Sequence, residues 1–329
     1  METPAFLDRS RPDVPDVVVP GGVTPFHLAG RPVRGRLVRL GRLADALLTR
    51  HDTAPAVSAL GGKALALVAA LSTALKFQGS FSLQIKGDGP LSLLLADCTD
   101  TGNLRFCARE DKEALDTLLA DNPAPTDREL TGSGYLALTV DQGPETDRHQ
   151  GIVEISGDDL AAMATHYFET SEQHACWLTL AARRTPEGWR AGALILERIA
   201  SAGGTPAGTN GHSPDNHDVS VALDDLAEDA WDTAVVLART LTDDELLDDA
   251  LPPETLLHRL FHEEDLRVGA SRALAYGCRC SRAKLADVLE RFPEDDLDHM
   301  AEDGQITMKC EFCNVDFRFA RSEVGRHPA

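Results

Sequence analysis

Positive charge is scarce in this chain. Its 329 residues carry 32 Lys and Arg against 53 Asp and Glu, a formal net charge of −21. Such a surface repels phosphate backbones and anionic headgroups, which argues against nucleic acid or a charged membrane as partner. Long apolar runs are also missing. The most apolar stretch, residues 64–75, is about half of what a bilayer crossing needs. The opening Met-Glu-Thr-Pro-Ala-Phe-Leu-Asp-Arg has neither the basic nor the apolar segment of a targeting signal. The expected location is therefore cytoplasmic, where thiols stay reduced. Paired cysteines there mean metal or redox chemistry more often than structural disulfides.

What the chain does have is enough apolar residue, 43%, for at least one sizeable core and two or three domains. Residues 1–24, rich in Pro, Asp and Gly, are expected to form a flexible arm. Strand-like sequence follows at 33–40 and helical sequence at 44–49 and 57–75, where Ala and Gly allow close packing. Phe81, Leu83 and Ile85 alternate with polar residues, Gly87-Asp88-Gly89-Pro90 turns the chain, and Leu91, Leu93 and Leu95 alternate back, which predicts a hairpin. The same period returns at Leu104 and Phe106, at 135–140, at 151–155, at 177–181 and at 191–199, with a helix over 160–168 between. Strands and helices interleave without a regular βαβ repeat, so the expectation is an α+β core over residues 25–200, with packed sheets and helices.

Beyond a Gly/Pro/Ser-rich stretch at 201–216 the chain changes character. Between 201 and 265 there are 16 acidic residues against two basic ones, Arg239 and Arg259. An apolar stripe through Leu226, Ala230, Trp231, Ala234, Val235 and Leu241 predicts a helix. Thr242 and Glu245 form a capping-box pair for the next, and Pro253 opens a third that carries Leu256, Leu257, Leu260 and Phe261. Residues 201–270 thus read as an acidic loop and helical linker, marginally stable because its polar faces carry one sign of charge.

Residues 271–329 form a small third unit. Ser281 is expected to cap a helix through Arg291 with Leu285, Val288, Leu289 and Phe292 inward, followed by a short helix over 294–302 and a hairpin over 306–319. So few core residues usually need a metal or disulfides. Four of the seven cysteines lie here in two tight pairs, Cys278-Arg-Cys280 and Cys310-Glu-Phe-Cys313. Two such pairs can give one tetrahedral four-thiolate Zn²⁺ site or, alternatively, two local disulfides. A four-thiolate site would carry −2, which Arg279, Arg282, Lys284 and Lys309 could offset. A disulfide across one intervening residue closes a small, strained ring, and strained disulfides are the easily reduced ones.

Other chemistry-bearing residues point to ordinary roles. Cys98, Cys107 and Cys176 lie in or beside strand-like runs and read as buried apolar groups. His258 and His262 have metal-binding spacing, but Arg259 stands where H-E-x-x-H needs Glu. His299 could replace one sulfur, yet four cysteines already fill the shell. The Cys310/Cys313 pair lacks the strand-to-helix setting of thiol oxidoreductases. Gly87-Asp88-Gly89 joins two strands and reads as a turn, not a phosphate loop.

Taken together, Arg34-Gly-Arg-Leu-Val-Arg-Leu, Leu75-Lys-Phe-Gln-Gly, Gln84-Ile-Lys-Gly-Asp-Gly-Pro-Leu, Gln150-Gly-Ile-Val, Tyr167-Phe, Ser171-Glu-Gln, Arg259-Leu-Phe-His-Glu-Glu and the cysteine tail resemble the redox-regulated heat-shock chaperone family named for a 33 kDa chaperonin. The resemblance runs from about Val33 to Val324. It implies one Zn²⁺ per chain on Cys278, Cys280, Cys310 and Cys313 in a reduced, inactive state. It further implies that oxidation forms the Cys278–Cys280 and Cys310–Cys313 disulfides, releases zinc, and unfolds the tail and linker. The product would be an ATP-independent holdase for unfolding client proteins, a homodimer when oxidised, with no catalytic residues. Apolar linker residues Trp231, Val235, Leu241, Leu257 and Phe261 would then be open to clients. The competing expectation is a constitutive zinc-stabilised interaction module without a switch.

Overall fold

The computed structural model describes residues 14–73, 78–143, 146, 148–173, 175–199 and 215–325. Its organising element is helix α2 (Pro55–Ser72), started by Pro55 in the first turn, where a missing N–H costs nothing. Fourteen of its 18 residues are buried. Two glycines let the sheet approach its backbone. A Cβ on Gly61 would sit 2.6 Å from the Phe106 ring, and one on Gly62 would sit 2.8 Å from the Ala182 methyl. By length and composition alone α2 could span a membrane, but 78% of it is buried inside the fold, so it serves as the core helix.

Around α2 curls an antiparallel-rich sheet in the order β7-β6-β3-β4-β5-β11-β1-β2-β9-β8, with β10 attached to β1. Its strands are β1 (Val18–Leu28), β2 (Val33–Arg39), β3 (Ser80–Gly87), β4 (Leu91–Thr99), β5 (Asn103–Glu110), β6 (Gly134–Asp141), β7 (His149–Glu154), β8 (Cys176–Thr185), β9 (Gly188–Arg198), β10 (Leu266–Val268) and β11 (Arg272–Tyr276). Helices α1 (Arg42–Leu48), α3 (Lys112–Asp121), α4 (Asp127–Thr131) and α5 (Leu160–Tyr167) complete the body. The predicted hairpin is β3–β4, with Ile85 opposite Leu94 and Leu83 opposite Ala96. Its Gly-Asp-Gly tip packs on α4, where Ser133 N donates to Asp88 Oδ1 at 2.7 Å. It is a structural turn.

Strand alternation divides β2 and β9 between two cores. Val38, Ala193 and Ile195 face α2, while Leu37, Leu194 and Leu196 face the other way and join Phe26, Leu28 and Val33 in a second apolar layer. The linker covers that layer with α6 (Asp215–Ala238), α7 (Asp243–Leu246) and α8 (Pro253–Phe261). Both Thr242 capping-box hydrogen bonds form, and Pro253 opens α8.

Several expectations need correction. The arm expected through residue 24 gives way at Val18 to β1, which pairs with both β2 and β11; residues 1–13 lie outside the described part. Residues 272–276, expected in the tail unit, form a strand of the main sheet, β11, which runs parallel to β5 with Ala275 opposite Asn103. The helix expected through Leu75 ends at Ser72. The linker does not lack a partner. Basic residues of the body meet its acids: Arg183 pairs with Asp244, Arg190 with Asp249, and within the linker Arg259 with Glu245. Buried Arg39 donates to the carbonyls of Glu245, Leu246 and Leu251.

The tail consists of α9 (Arg282–Leu289), α10 (Glu294–Met300) and the hairpin β12 (Gln305–Lys309) with β13 (Asp316–Ala320). Ser281 accepts from Lys284 N, as its capping role requires. Leu289, Leu297, Ile306, Phe317 and Phe319 form its core, which is continuous with the main one. Val288 and Phe292, expected inward, are 40% and 41% exposed.

Candidate metal centre

Two short segments deliver the four sulfurs. Cys278 and Cys280 follow directly on β11, between the sheet and the Ser281 cap of α9. Cys310 and Cys313 flank the tip of the β12–β13 hairpin. There Cys310 N donates to Val315 O at 3.0 Å and Asn314 N to Cys310 O at 2.8 Å. Asn314 takes the left-handed conformation, φ 58°, that this knuckle needs and that Asn tolerates.

The Cys278 Sγ lies 3.2 Å from that of Cys280 and 3.7 Å from that of Cys310, and Cys280 lies 3.4 Å from Cys313. All four sulfurs fall within 4.8 Å of one another. Tetrahedral Zn–S bonds of about 2.3 Å place sulfurs about 3.8 Å apart, so the cage has close to the dimensions that zinc requires. A disulfide needs about 2.0 Å, and all seven cysteines are free. Three of the four are buried and Cys280 is half-buried. The donor set, four soft thiols in a closed shell, suits a structural Zn²⁺.

The sulfurs divide their protons unequally. A hydrogen bond with Cys280 holds the Cys278 thiol down at about 7. The bond with Cys278 lowers Cys310 further. Bonds with Cys278 push Cys280 and Cys313 up. Four thiolates this close ionise together only when a dication offsets their repulsion.

Three of the four cations expected to supply that offset are engaged with other groups. Arg279 pairs with Asp97, Lys284 donates to the Arg279 carbonyl, and Arg282 binds Glu323 and stacks over Phe319 at 4.4 Å. What sequence reasoning missed is the clamp on the second cysteine pair. Arg50, between α1 and α2, donates to Cys313 O at 3.1 Å, and Asn314 Nδ2 donates back to Arg50 O at 2.7 Å. Arg105 lies 4.1 Å over the Phe312 ring, and Arg109 pairs with Glu311 at 2.6 Å. These partners lie some 200 residues apart in sequence, so no local pattern could announce them.

The remaining candidates lie outside the cage. Burial pushes Cys98 up to about 12, Cys107 to about 11 and Cys176 to about 12, the state of inert core thiols. His258 and His262 stack at 5.9 Å on the exposed face of α8. The His299 Nδ1 faces the Asp295 carbonyl of its own helix at 2.5 Å. Among the described residues, the four cysteines are the one group of three or more potential ligands close enough to share an ion. The linker residues Trp231, Val235, Leu241, Leu257 and Phe261 all pack on the second apolar layer. Leu257 and Phe261 are fully buried, the latter 5.4 Å from the Phe26 ring.

An α+β body, strapped by acidic helices and carrying a four-thiol cage on a tail pinned back to the body, defines a protein class in which a cysteine centre sits astride the fold's most distant contacts. The model of the Hsp33 protein family matches residues 22–320, and the chain belongs to that family of chaperones. It is 36% identical over 297 residues to the 33 kDa chaperonin of Caulobacter vibrioides, covering 89% of this chain and 92% of that one. The 33 kDa chaperonin of Pseudomonas syringae pv. tomato is 35% identical over 298 residues, covering 89% of each chain. The crystal structure of the 33 kDa chaperonin (heat shock protein 33 homolog) from Thermotoga maritima shares the fold. Its TM-score is 0.70 at 19% identity, over 92% of this chain and 96% of that one.

Proposed function

We propose that the protein is a redox-regulated, ATP-independent holdase of the cytoplasm, not an enzyme, held inactive by one Zn²⁺ on Cys278, Cys280, Cys310 and Cys313. The observation that carries this reading is the convergence of the four sulfurs at the point where tail and body are joined. A bound Zn²⁺ would offset the thiolate charge and cross-link the segment after β11 to the β12–β13 knuckle. On the order of 10 kcal/mol of binding would become folding energy of the tail.

Oxidation would proceed as two balanced steps. Cys278 and Cys280 lose two electrons to one peroxide and form one disulfide; Cys310 and Cys313 do the same with a second peroxide, and each peroxide is reduced to water. The sulfurs then no longer carry the charge that a dication needs, and the cage opens. Without it the Arg50–Cys313 and Asn314–Arg50 bonds lose their rigid partner. The linker's apolar face, Trp231, Val235, Leu241, Leu257 and Phe261, would come off the sheet and meet unfolding clients together with the uncovered Leu37 and Leu194 layer. Two newly exposed apolar faces also favour a homodimer in the oxidised state. The working units are a body that includes β10 and β11, the linker over α6–α8, and the cysteine tail from residue 277. The net charge of −21 disfavours nucleic acid and anionic membranes.

The test is light scattering from a thermally aggregating client. Reduced, zinc-loaded protein should leave aggregation unchanged, and peroxide treatment at raised temperature should suppress it as zinc is released. Zinc release without suppression would sink the holdase reading in favour of a constitutive module. Turnover of a disulfide substrate would indicate an oxidoreductase.

A further inference from the structure

Asp97 lies on β4, opposite Arg105 of β5 in the sheet register. Its neighbours Ala96 and Cys98 belong to the main core, so strand alternation turns Asp97 to the other face of the sheet. The residue is nevertheless only 3% exposed. A buried carboxylate is costly unless cations pair with it, and Asp97 has two.

The first is Arg105, which donates through Nε to Oδ1 at 3.2 Å and through Nη2 to Oδ2 at 3.4 Å. The second is Arg279, 182 residues further along the chain, whose Nη2 donates to Oδ1 at 2.5 Å. Both lead to the cage. Arg279 is the single residue between Cys278 and Cys280, so its anchored side chain orients the loop that carries both sulfurs. Lys284 Nζ, donating to the Arg279 carbonyl at 3.1 Å, holds the same loop from the tail. Arg105 places its guanidinium 4.1 Å over the ring of Phe312, which stands between Cys310 and Cys313. One carboxylate of the body is thus connected to both cysteine pairs, to the first by an ion pair and to the second through a guanidinium held against a ring.

Four sulfurs share one ion only when both pairs are aimed at a common point to within about 0.5 Å. Cys278 and Cys280 follow the end of β11, whereas Cys310 and Cys313 sit at a hairpin tip, so their relative placement depends on how each is held to the body. Partners that orient metal ligands without touching the metal contribute about 10–100-fold in affinity.

We propose that Asp97 is the positioning residue of the cysteine cage. Through Arg279 it aims one pair of sulfurs, and through Arg105 and Phe312 it aims the other. It thereby sets how tightly the four sulfurs hold Zn²⁺ and how much peroxide is needed to open them. This role rests on the reading of the cage as a zinc-held redox centre and deepens it. The chemistry of each disulfide is unchanged: two electrons pass from two thiols to one peroxide, which is reduced to water.

The test measures Zn²⁺ affinity of the reduced full chain by competition with a chromogenic chelator, with chemical denaturation of the same samples as the control for body stability. Asp97→Asn keeps the shape and an acceptor oxygen but removes the charge, and should weaken affinity about tenfold or more. Arg279→Gln should weaken it by a similar factor alone but by no more than about twofold in the Asp97→Asn chain, because the two residues act as one unit. Phe312→Leu, which removes the ring under Arg105, should weaken it as well. These last two substitutions lie in the tail, so they carry the test if Asp97→Asn does not fold. Wild-type affinity in Asp97→Asn, with or without a loss of body stability, would overturn the proposal. So would fully additive losses for Asp97→Asn and Arg279→Gln, or unchanged affinity in both tail variants. A peroxide titration separates this role from the holdase: Asp97→Asn should release zinc and suppress client light scattering at a lower dose than the parent chain. The expected affinity changes without suppression in either chain remove the holdase alone. Suppression by the parent, with affinity and dose unchanged in Asp97→Asn, removes the role of Asp97 alone.

Discussion

Arg39 is the place to break the linker's attachment without touching a cysteine. Its guanidinium, 7% exposed, donates through Nε to Leu246 O at 2.9 Å, through Nη2 to Glu245 O at 2.6 Å and through Nη1 to Leu251 O. Burial lowers its pKa, and Asp248 and Asp249 offset part of that cost. Each charge-assisted bond contributes about 1.5–3 kcal/mol. Removing the guanidinium also removes its desolvation cost, and water can reach some of the freed carbonyls. The expected net loss for Arg39→Ala is about 3 kcal/mol of linker docking, roughly a hundredfold in the open population. Arg39→Lys, with one compact ammionium-type donor in place of a fork, should lose about half of that. Hydrogen exchange of the α7 and α8 amides in reduced, zinc-loaded protein reads the effect directly, because local opening sets the rate. If Arg39→Ala leaves α7–α8 exchange unchanged while the protein stays folded, the three carbonyl contacts do not hold the linker.

Alkylation followed by mass spectrometry of metal-stripped protein, whose tail is expected to unfold without its ion, should divide the thiols into four fast ones in the tail and three slow ones, Cys98, Cys107 and Cys176, whose pKa values are raised by burial; fast labelling of the three would refute their core role. Glu197 is pushed up by burial but held down more strongly by Arg36 and Arg34, so its net shift is downward from 4.5. Its contribution to stability is therefore present above about pH 4.5 and lost as pH falls through the lower folded value. Glu197→Gln should lose stability at neutral pH, by about 3–5 kcal/mol, and show a shallower acid dependence below pH 4.5 in chemical denaturation; an unchanged acid slope would rule out that linkage. Cys278→Ser should weaken zinc affinity and destabilise the tail in reduced protein, and a competition titration with a chromogenic chelator that finds wild-type affinity would remove Cys278 from the ligand set.

Local chemistry made much of this legible in advance. The β3–β4 hairpin, the Thr242 capping box, the Pro253 helix start and the Ser281 cap each depend on residues a few positions apart. The helix over Lys112–Asp121 carries its own local signal, Asp111 as N-cap with Leu115, Leu118 and Leu119 on one face, and α4 has a Thr126/Glu129 capping box. Strand β1 was hidden by Pro20-Gly21-Gly22, which read as a loose arm. Those residues form a bulge between Val19 and Val23, and pairing with β11 more than 240 residues away makes the segment a strand. The inward face assigned to α9 failed at Val288 and Phe292 because helical spacing cannot say how much core a small unit has to offer. At the cage, the four cysteines that come together are legible in their spacing, whereas Arg50, Asp97 and Arg105 become visible only once the tail is folded onto the body.

The proposed coupling, in which the cysteine cage holds the linker on the body, is tested most directly by hydrogen exchange across the whole chain before and after peroxide treatment. Oxidation should strip protection from the tail at 277–325 and, with it, from the linker at 229–261, while β3, β4 and β5 keep theirs. A tail that loses protection while α7 and α8 remain protected would show that the cage holds only its own small domain, and that coupling would be contradicted.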